Sequence, residues 1–267
     1  MDMFGRDLAP LSGAALKEID AQAARTLRAN LAARRFADIK GPYGWSYSGV
    51  PSGTLDSLQK DGEVGFGVRG VTPLVETRVE FGLSAIGMHD IDRGRANPDL
   101  TAVEKAAAAI AEFEDKAVFD GFAKAGIKGL KDGSENPALE LTPSDPSALL
   151  KEVIGAIDRS KTELSISGPF AIVGGKAFRG ALSALAGNRT LLELLKKSTD
   201  IDEFIYSPLV PEGYLISKRG GDFELTLGGD FVVGYHSRTG DTLNFYLAES
   251  FSYRILEPRA YTPLKLK

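Results

Sequence analysis

Hydrophobic positions along this chain change their period several times, and each change marks an element. After Ser12, a residue suited to cap a helix, Leu16, Ile19, Ala23, Leu27 and Leu31 recur at three- and four-residue steps. Lys17, Glu18, Arg25 and Arg28 take the other face of that helix. Between Leu74 and Leu83 the period falls to two: Val75, Thr77, Val79 and Phe81 alternate with Glu76, Arg78 and Glu80, as in a half-buried strand. Pro98-Asp99 and Thr101 open the longest helical pattern, with Val103, Ala106, Ile110, Phe113, Ala117 and Val118 on one stripe. Gly121, Gly126, Gly129 and Gly133 mark its exit. Asp145-Pro146 starts another helix, whose apolar face is Leu149, Leu150, Val153, Ile154 and Ile157. A short apolar run over 170–173, helices over 176–185 and 190–197, and a strand over 201–205 follow. From Tyr214 onward the pattern is nearly all strand: 214–217, 223–227, 231–235 and 243–255. This order lacks the regular βαβ alternation of a doubly wound sheet and predicts an α+β fold.

One stretch fits none of these periods. Gly41, Gly44, Gly49, Gly53, Gly62, Gly65, Gly67 and Gly70, with Pro42 and Pro51, leave the segment too few apolar residues to fold alone. As a hairpin it would reach about 50 Å, and connections of this length without a core are uncommon. Tyr43, Trp45, Tyr47 and the alternating Val64, Phe66 and Val68 argue for order. An ordered arm with so little apolar surface needs a neighbour to lie on.

Composition adds mainly exclusions. The 267 residues are 43% hydrophobic and 25% charged, with a formal net charge of −4, so no general positive field favours nucleic acid. The absence of cysteine removes disulfides, thiolate catalysis and Cys-based metal sites, and fits a cytoplasmic protein. Asp2, Arg6 and Asp7 make the first ten residues unlike a signal peptide. No run approaches the ~20 apolar residues of a membrane helix.

Each candidate chemical motif has a plainer explanation. The G-x-G-x-x-G run at 65–70 needs a following helix to hold a pyrophosphate, but Val71-Thr72-Pro73 and a strand follow. Gly220-Gly221-Asp222 and Gly228-Gly229-Asp230 are expected to form consecutive hairpin turns. Glu112, Glu114 and Asp115 could do acid–base work, yet with Lys105, Lys116 and Lys124 nearby they suggest a charged helix face. Residues 89–95 (HDIDRGR) suggest a polar turn. His89 and His236 are far apart in sequence, and no hydrolase motif is present.

Taken together, many short motifs in order resemble the encapsulin (linocin-like) family of nanocompartment shell proteins. They include Asp7-Leu8-Ala9-Pro10, Gly41-Pro42-Tyr43-Gly44-Trp45, Asp92-Arg93-Gly94, Glu112-Phe113-Glu114-Asp115, Phe119-Asp120-Gly121, Arg219-Gly220-Gly221-Asp222-Phe223 and Ala248-Glu249-Ser250-Phe251. The resemblance implies a tailed-bacteriophage capsid fold. Its parts map to an N-terminal helix and peripheral-domain start at 1–40, an extended loop at 41–73, and the peripheral domain with its spine helix at 74–134. An axial domain at 135–215 and peripheral antiparallel strands at 216–267 complete it. It also implies a non-enzymatic, icosahedral shell of about sixty copies or a multiple. That shell would enclose a cargo enzyme bound through its C-terminal peptide, either a ferritin-like iron-storage protein or a dye-decolourising peroxidase. By resemblance, Leu27, Leu31, Arg34, Asp38, Ile39, Phe231 and Val233 would line the peptide groove, although packing of the helix on the sheet accounts equally well for Leu27 and Leu31. Gly187, Asn188, Arg189 and Thr190 would line a fivefold pore. Some family shells hold a flavin beside an aromatic residue after the first strand. Ser84-Ala85-Ile86-Gly87-Met88 offers none, so no flavin is expected, and no metal is expected because no ligand constellation stands out. The competing functions are a viral or prophage capsid protein and, from labels attached to the family, a bacteriocin or protease.

Overall fold

The computed structural model describes residues 3–55 and 57–267; Met1 and Asp2 of the charged N-terminal segment, and Asp56 of the arm, lie outside them. Helix α1 (Gly13–Asn30) begins where Ser12 Oγ accepts the Ala15 N–H at 3.1 Å, and it buries Ala15, Ile19, Ala23 and Leu27. After strand β1 (Asp38–Lys40) the chain leaves the body as the arm: β2 (Gly49–Leu55), β3 (Gln59–Asp61), β4 (Val64–Phe66) and β5 (Arg69–Pro73). Strand β2 pairs antiparallel with β5, and β3 pairs with β4 beyond them. The arm thus satisfies its backbone but not its apolar side chains. The glycine-rich run at 65–70 lies within this ladder and leads into strand β6 (Val75–Ser84), so no helix dipole stands ready for a phosphate.

Residues 89–92 depart from the expected polar turn, and only 93–95 remain one. Ser84 Oγ accepts the Gly87 N–H at 3.1 Å and starts helix α2 (Ala85–Asp92), with Ala85 and Met88 buried. Two buried residues are too few to reveal a helix against so many charges. Helix α3 (Thr101–Phe119) follows the expected stripe. Then come α4 (Leu130–Gly133), β7 (Leu139–Leu141) and α5 (Pro146–Thr162), the last capped by Asp145, which accepts from the Ser147 and Ala148 N–H groups. Strand β8 (Phe170–Gly174), helix α6 (Lys176–Ser183), the short strands β9 (Leu185–Ala186) and β10 (Arg189–Thr190), helix α7 (Leu191–Ser198) and strand β11 (Ile201–Tyr206) continue the chain. It closes with β12 (Gly213–Ser217), β13 (Phe223–Leu227), β14 (Val232–Thr239), β15 (Thr242–Ile255) and β16 (Tyr261–Leu266).

Two five-stranded sheets organise these elements. In the first, β6 runs along one flank of β15, β13 and β14 run along the other, and β1 lies parallel to β13. The second has the order β11-β8-β12-β16-β7. Neither Gly-Gly-Asp run is a hairpin turn, contrary to expectation. The first carries the chain from β12 in one sheet to β13 in the other. The second interrupts a single track along β15, since Leu227 faces Phe251 and Val232 faces Ala248 in the same direction. There Gly228 N–H donates to Ser250 C=O and Ser250 N–H to Gly229 C=O, each at 2.9 Å. Glycine is required because the Trp45 ring fills the space; a Cβ on Gly229 would meet it at 2.1 Å. The C-terminal strand also differs from expectation. The expected peripheral strands at 216–267 include residues 261–266, but β16 joins β12 and β7 of the second sheet. A turn at Pro258–Ala260 reverses the chain, and buried Tyr261 donates its hydroxyl to Leu130 C=O at 2.7 Å.

One core cluster joins the second sheet to the C-terminal half of α3 and to β13 and β15. The other lies between α1, α3 and the first sheet, with Ile19, Leu27, Ile110, Phe245 and Leu247. The candidate site opens at the edge of this second cluster.

Candidate functional site

Helix α1 and strand β14 do not close fully on one another. A hollow of about 830 Å³ remains between them, floored by Ala23, Leu27, Leu31, Phe231, Val233 and Leu247 and rimmed by Arg6, Asp20, Arg28, Arg34, Arg35 and Asp230. Of the groove residues implied by the resemblance, Leu27, Leu31, Arg34, Phe231 and Val233 are brought together here. Asp38 and Ile39 are not. They form β1, where Asp38 Oδ2 accepts the Gly221 N–H at 2.6 Å and Ile39 is exposed. Sequence reasoning missed Arg6 and Asp20 of the rim, whose mutual pairing joins residues 14 apart. Ala23 was legible on the α1 stripe, one turn before Leu27.

Arg34 does not stand free for a ligand. Its Nε lies 3.0 Å from both Glu114 carboxylate oxygens and its Nη2 2.7 Å from Oε2, while Nη1 donates to Asp230 Oδ1 at 2.9 Å. Nη2 also donates to Glu249 Oε1. The guanidinium stacks 4.5 Å above the centre of the Phe231 ring. The side chain keeps 17% of its surface, and Glu114 and Glu249 keep none. Glu114 and Asp115 are therefore not part of a solvated helix face, and only Glu112 is, paired with Lys116 at 3.2 Å. The counter-charge sits 80 residues away on Arg34, beyond the reach of any local pattern.

Three carboxylates around one guanidinium leave excess negative charge in a dry place. Burial raises the Glu249 pKa well above the ordinary carboxylate range; the Glu114 charge and hydrogen bond add to this, and Arg34 opposes it. Glu249 Oε2 has no partner when counted as a carboxylate oxygen. A proton on Glu249 shared with Glu114 satisfies it. Burial would lower the Arg34 pKa, but bonds and charges from Glu114, then Glu249 and Asp230, raise it. Asp115 accepts the N–H groups of Ala32 and Ala33 at 3.0 Å each, pinning the end of α1 to α3. Burial nonetheless pushes its pKa up to about 7 against those two bonds.

The candidate pore residues sit elsewhere, on an exposed hairpin. Leu185 pairs with Thr190 and Ala186 with Arg189, and Gly187 turns the chain with φ 70°. Gly187, Asn188 and Arg189 are exposed. Thr190 is committed locally: its hydroxyl accepts the Glu193 N–H while Glu193 accepts the Thr190 N–H, a reciprocal cap on α7. His89 lies against Pro10 C=O at 3.2 Å, and His236 is exposed on β14. Among the described residues no group of three or more metal-ligating side chains is assembled, and no helix is long and apolar enough to cross a membrane.

Residues 1–252 match the family model described as "Encapsulating protein for peroxidase". The type 1 encapsulin shell protein of Rhodospirillum rubrum is 38% identical over 278 aligned residues, covering 99% of this chain and 97% of that protein. Among solved structures, the virus-like particle from Pyrococcus furiosus superposes with a TM-score of 0.66 at 14% identity, covering 93% of this chain and 98% of that one. The capsid of the Myoviridae phage XM1 gives 0.61 at 13% identity, covering 89% and 92%. The two sheets, the spine helix and the arm are thus those of a capsid fold.

Proposed function

Because this chain belongs to the family of type 1 encapsulin shell proteins, we propose that it builds a closed icosahedral compartment of about sixty copies, or a multiple, around a cargo enzyme in the cytoplasm. The observation that carries the cargo part is the apolar hollow between α1 and β14. A hollow of this size, floored by aliphatic side chains and framed by charges, suits a short peptide with leucine or isoleucine anchors. The cargo would be a ferritin-like iron-storage protein or a dye-decolourising peroxidase, held by its C-terminal tail. The shell itself supplies no catalytic group in this reading and carries no flavin, so purified particles should lack absorbance near 450 nm.

The test is co-expression with a fluorescent protein ending in Leu-Gly-Ser-Leu. Large particles that retain the fluorescence through size exclusion are expected, with capture lost in Leu27→Glu while particle size is unchanged. Equal capture by Leu27→Glu would remove the hollow from the mechanism. The phage-like fold supports a second reading as a prophage capsid protein; particles rich in nucleic acid by absorbance ratio would favour it.

A further inference from the structure

Of the charged side chains that line the hollow, one cation is left without a partner among the described residues. Two carboxylates line the hollow, and both are spent. Asp20 takes Arg6 in a two-pronged pair, at 2.8 and 2.7 Å, and Asp230 takes Arg34 at 2.9 Å. Arg35 is paired with Glu203, which lies outside the hollow. Arg28 lines the hollow, is exposed, and forms no hydrogen bond or ion pair with any described residue. Its helical neighbours at three and four residues are Ala24, Arg25, Leu31 and Ala32, so α1 supplies no acid to it. An occupant that covers the apolar floor would bury part of this cation, and unless it brought an anion the desolvation would oppose binding.

The neighbouring strand edge indicates what form the occupant takes. On the outer side of β14, Tyr235 N–H donates to Phe4 C=O at 2.9 Å and Val233 C=O accepts from Arg6 at 2.9 Å. Phe4 and Arg6 of the chain's own N-terminal segment thus already lie along that edge, and Arg6 borders the hollow. Alternation along the strand turns the Val233 N–H to the same side, where an extended peptide can pair with it.

From these observations we propose that the hollow reads the free end of its partner: the α-carboxylate of an extended C-terminal peptide docks on Arg28 while its aliphatic side chains fill the floor. This rests on the cargo reading above and adds a requirement to it, namely that the anchor residues stand at the very end of the cargo chain. A carboxylate–guanidinium contact at a half-exposed rim is worth a few-fold in affinity rather than orders of magnitude.

The experiment co-expresses the full-length shell protein with two fluorescent proteins of different colour. One ends in Leu-Gly-Ser-Leu; the other carries the same tail followed by Gly-Ser-Gly-Ser, which moves the carboxylate away. Wild-type particles should capture the first in about two- to fivefold excess, with the same ratio after the colours are exchanged. Arg28→Ala should level the ratio while still capturing both, and Arg28→Lys should keep most of the preference. Equal capture by wild type, or a preference that survives Arg28→Ala, overturns the role of Arg28 and leaves the cargo reading standing. Capture of neither tail overturns the cargo reading itself, and this proposal with it.

Discussion

In the arm, the large apolar side chains Leu55, Leu58, Val64, Phe66, Val68 and Val71 stand 43–77% exposed. Behind the hollow the situation is inverted: Glu114 and Glu249 are fully buried around Arg34. The arm pairs its backbone in strands and leaves its apolar surface uncovered, while the wall hides charge. Burial of apolar area is the main stabilising term of a fold, so the arm has been left without it by its own chain. The wall is complete within one subunit because ions buried there bring their counter-charges with them. A surface that must be finished by another copy and a surface that must be ready beforehand are therefore distinguishable from one subunit's geometry.

The strongest way to break this comparison is to remove the arm. Deleting residues 51–67 should leave a folded, soluble subunit, because no buried residue of either core cluster lies in that stretch. Closed particles should disappear entirely, as read by light scattering and negative-stain microscopy. Normal particles from the deletion would show that the exposed side chains are not an interface.

The wall should respond in the opposite sense. Arg34→Ala leaves Glu114 and Glu249 buried without their cation, a change that typically costs about 3–5 kcal/mol. Urea denaturation of the arm-deleted subunit should show that loss, while the arm deletion alone should shift the midpoint little. A nearly neutral Arg34→Ala would mean that the cluster takes up a further proton in place of the lost guanidinium.

The same contrast explains what the sequence made legible. Helices α1, α3 and α5 and strands β6, β13, β14 and β15 of the first sheet follow from period and capping residues, because those signals are local, whereas the three-residue β1 does not. The arm was legible as a deficit, a segment over 41–70 in which glycines are nearly as many as large apolar anchors. The buried ion cluster was not, because Arg34, Glu114, Asp230 and Glu249 come from four elements and each looks like an ordinary surface charge on its own segment. Sheet assignment failed for β16 and for the second Gly-Gly-Asp run for a related reason: a strand's partner is chosen by long-range packing, and its alternation records only that it has a buried face. Of the hollow, Ala23, Leu27 and Leu31 were visible on a helix stripe, whereas Arg6, Asp20, Arg28 and Arg35 of the rim required the fold.

A finer test of the wall uses pH. The Asp115 pKa is raised from 3.8 to about 7 by burial, although Ala33 and Ala32 N–H groups favour its charged form. The folded state thus binds this proton more tightly than the unfolded chain. The stabilisation is fully present below the unfolded value and is lost as pH rises through about 7. Over that window the change is at most about 4 kcal/mol, since each pKa unit corresponds to about 1.4 kcal/mol. Asp115→Asn removes the titration while keeping one acceptor oxygen, so one of the two backbone N–H groups loses its bond at every pH. That loss is a constant offset, whereas the proton contributes a slope. Urea midpoints of the arm-deleted subunit, measured at intervals from pH 4 to 8 with and without Asp115→Asn, separate the two. The difference between the curves should change steadily, with the wild type losing ground to the variant as pH rises. Glu249, whose raised pKa acts in the same direction, is present in both proteins and cancels to first order. Parallel curves would mean that Asp115 stays ionised throughout, and that its two N–H bonds outweigh its burial.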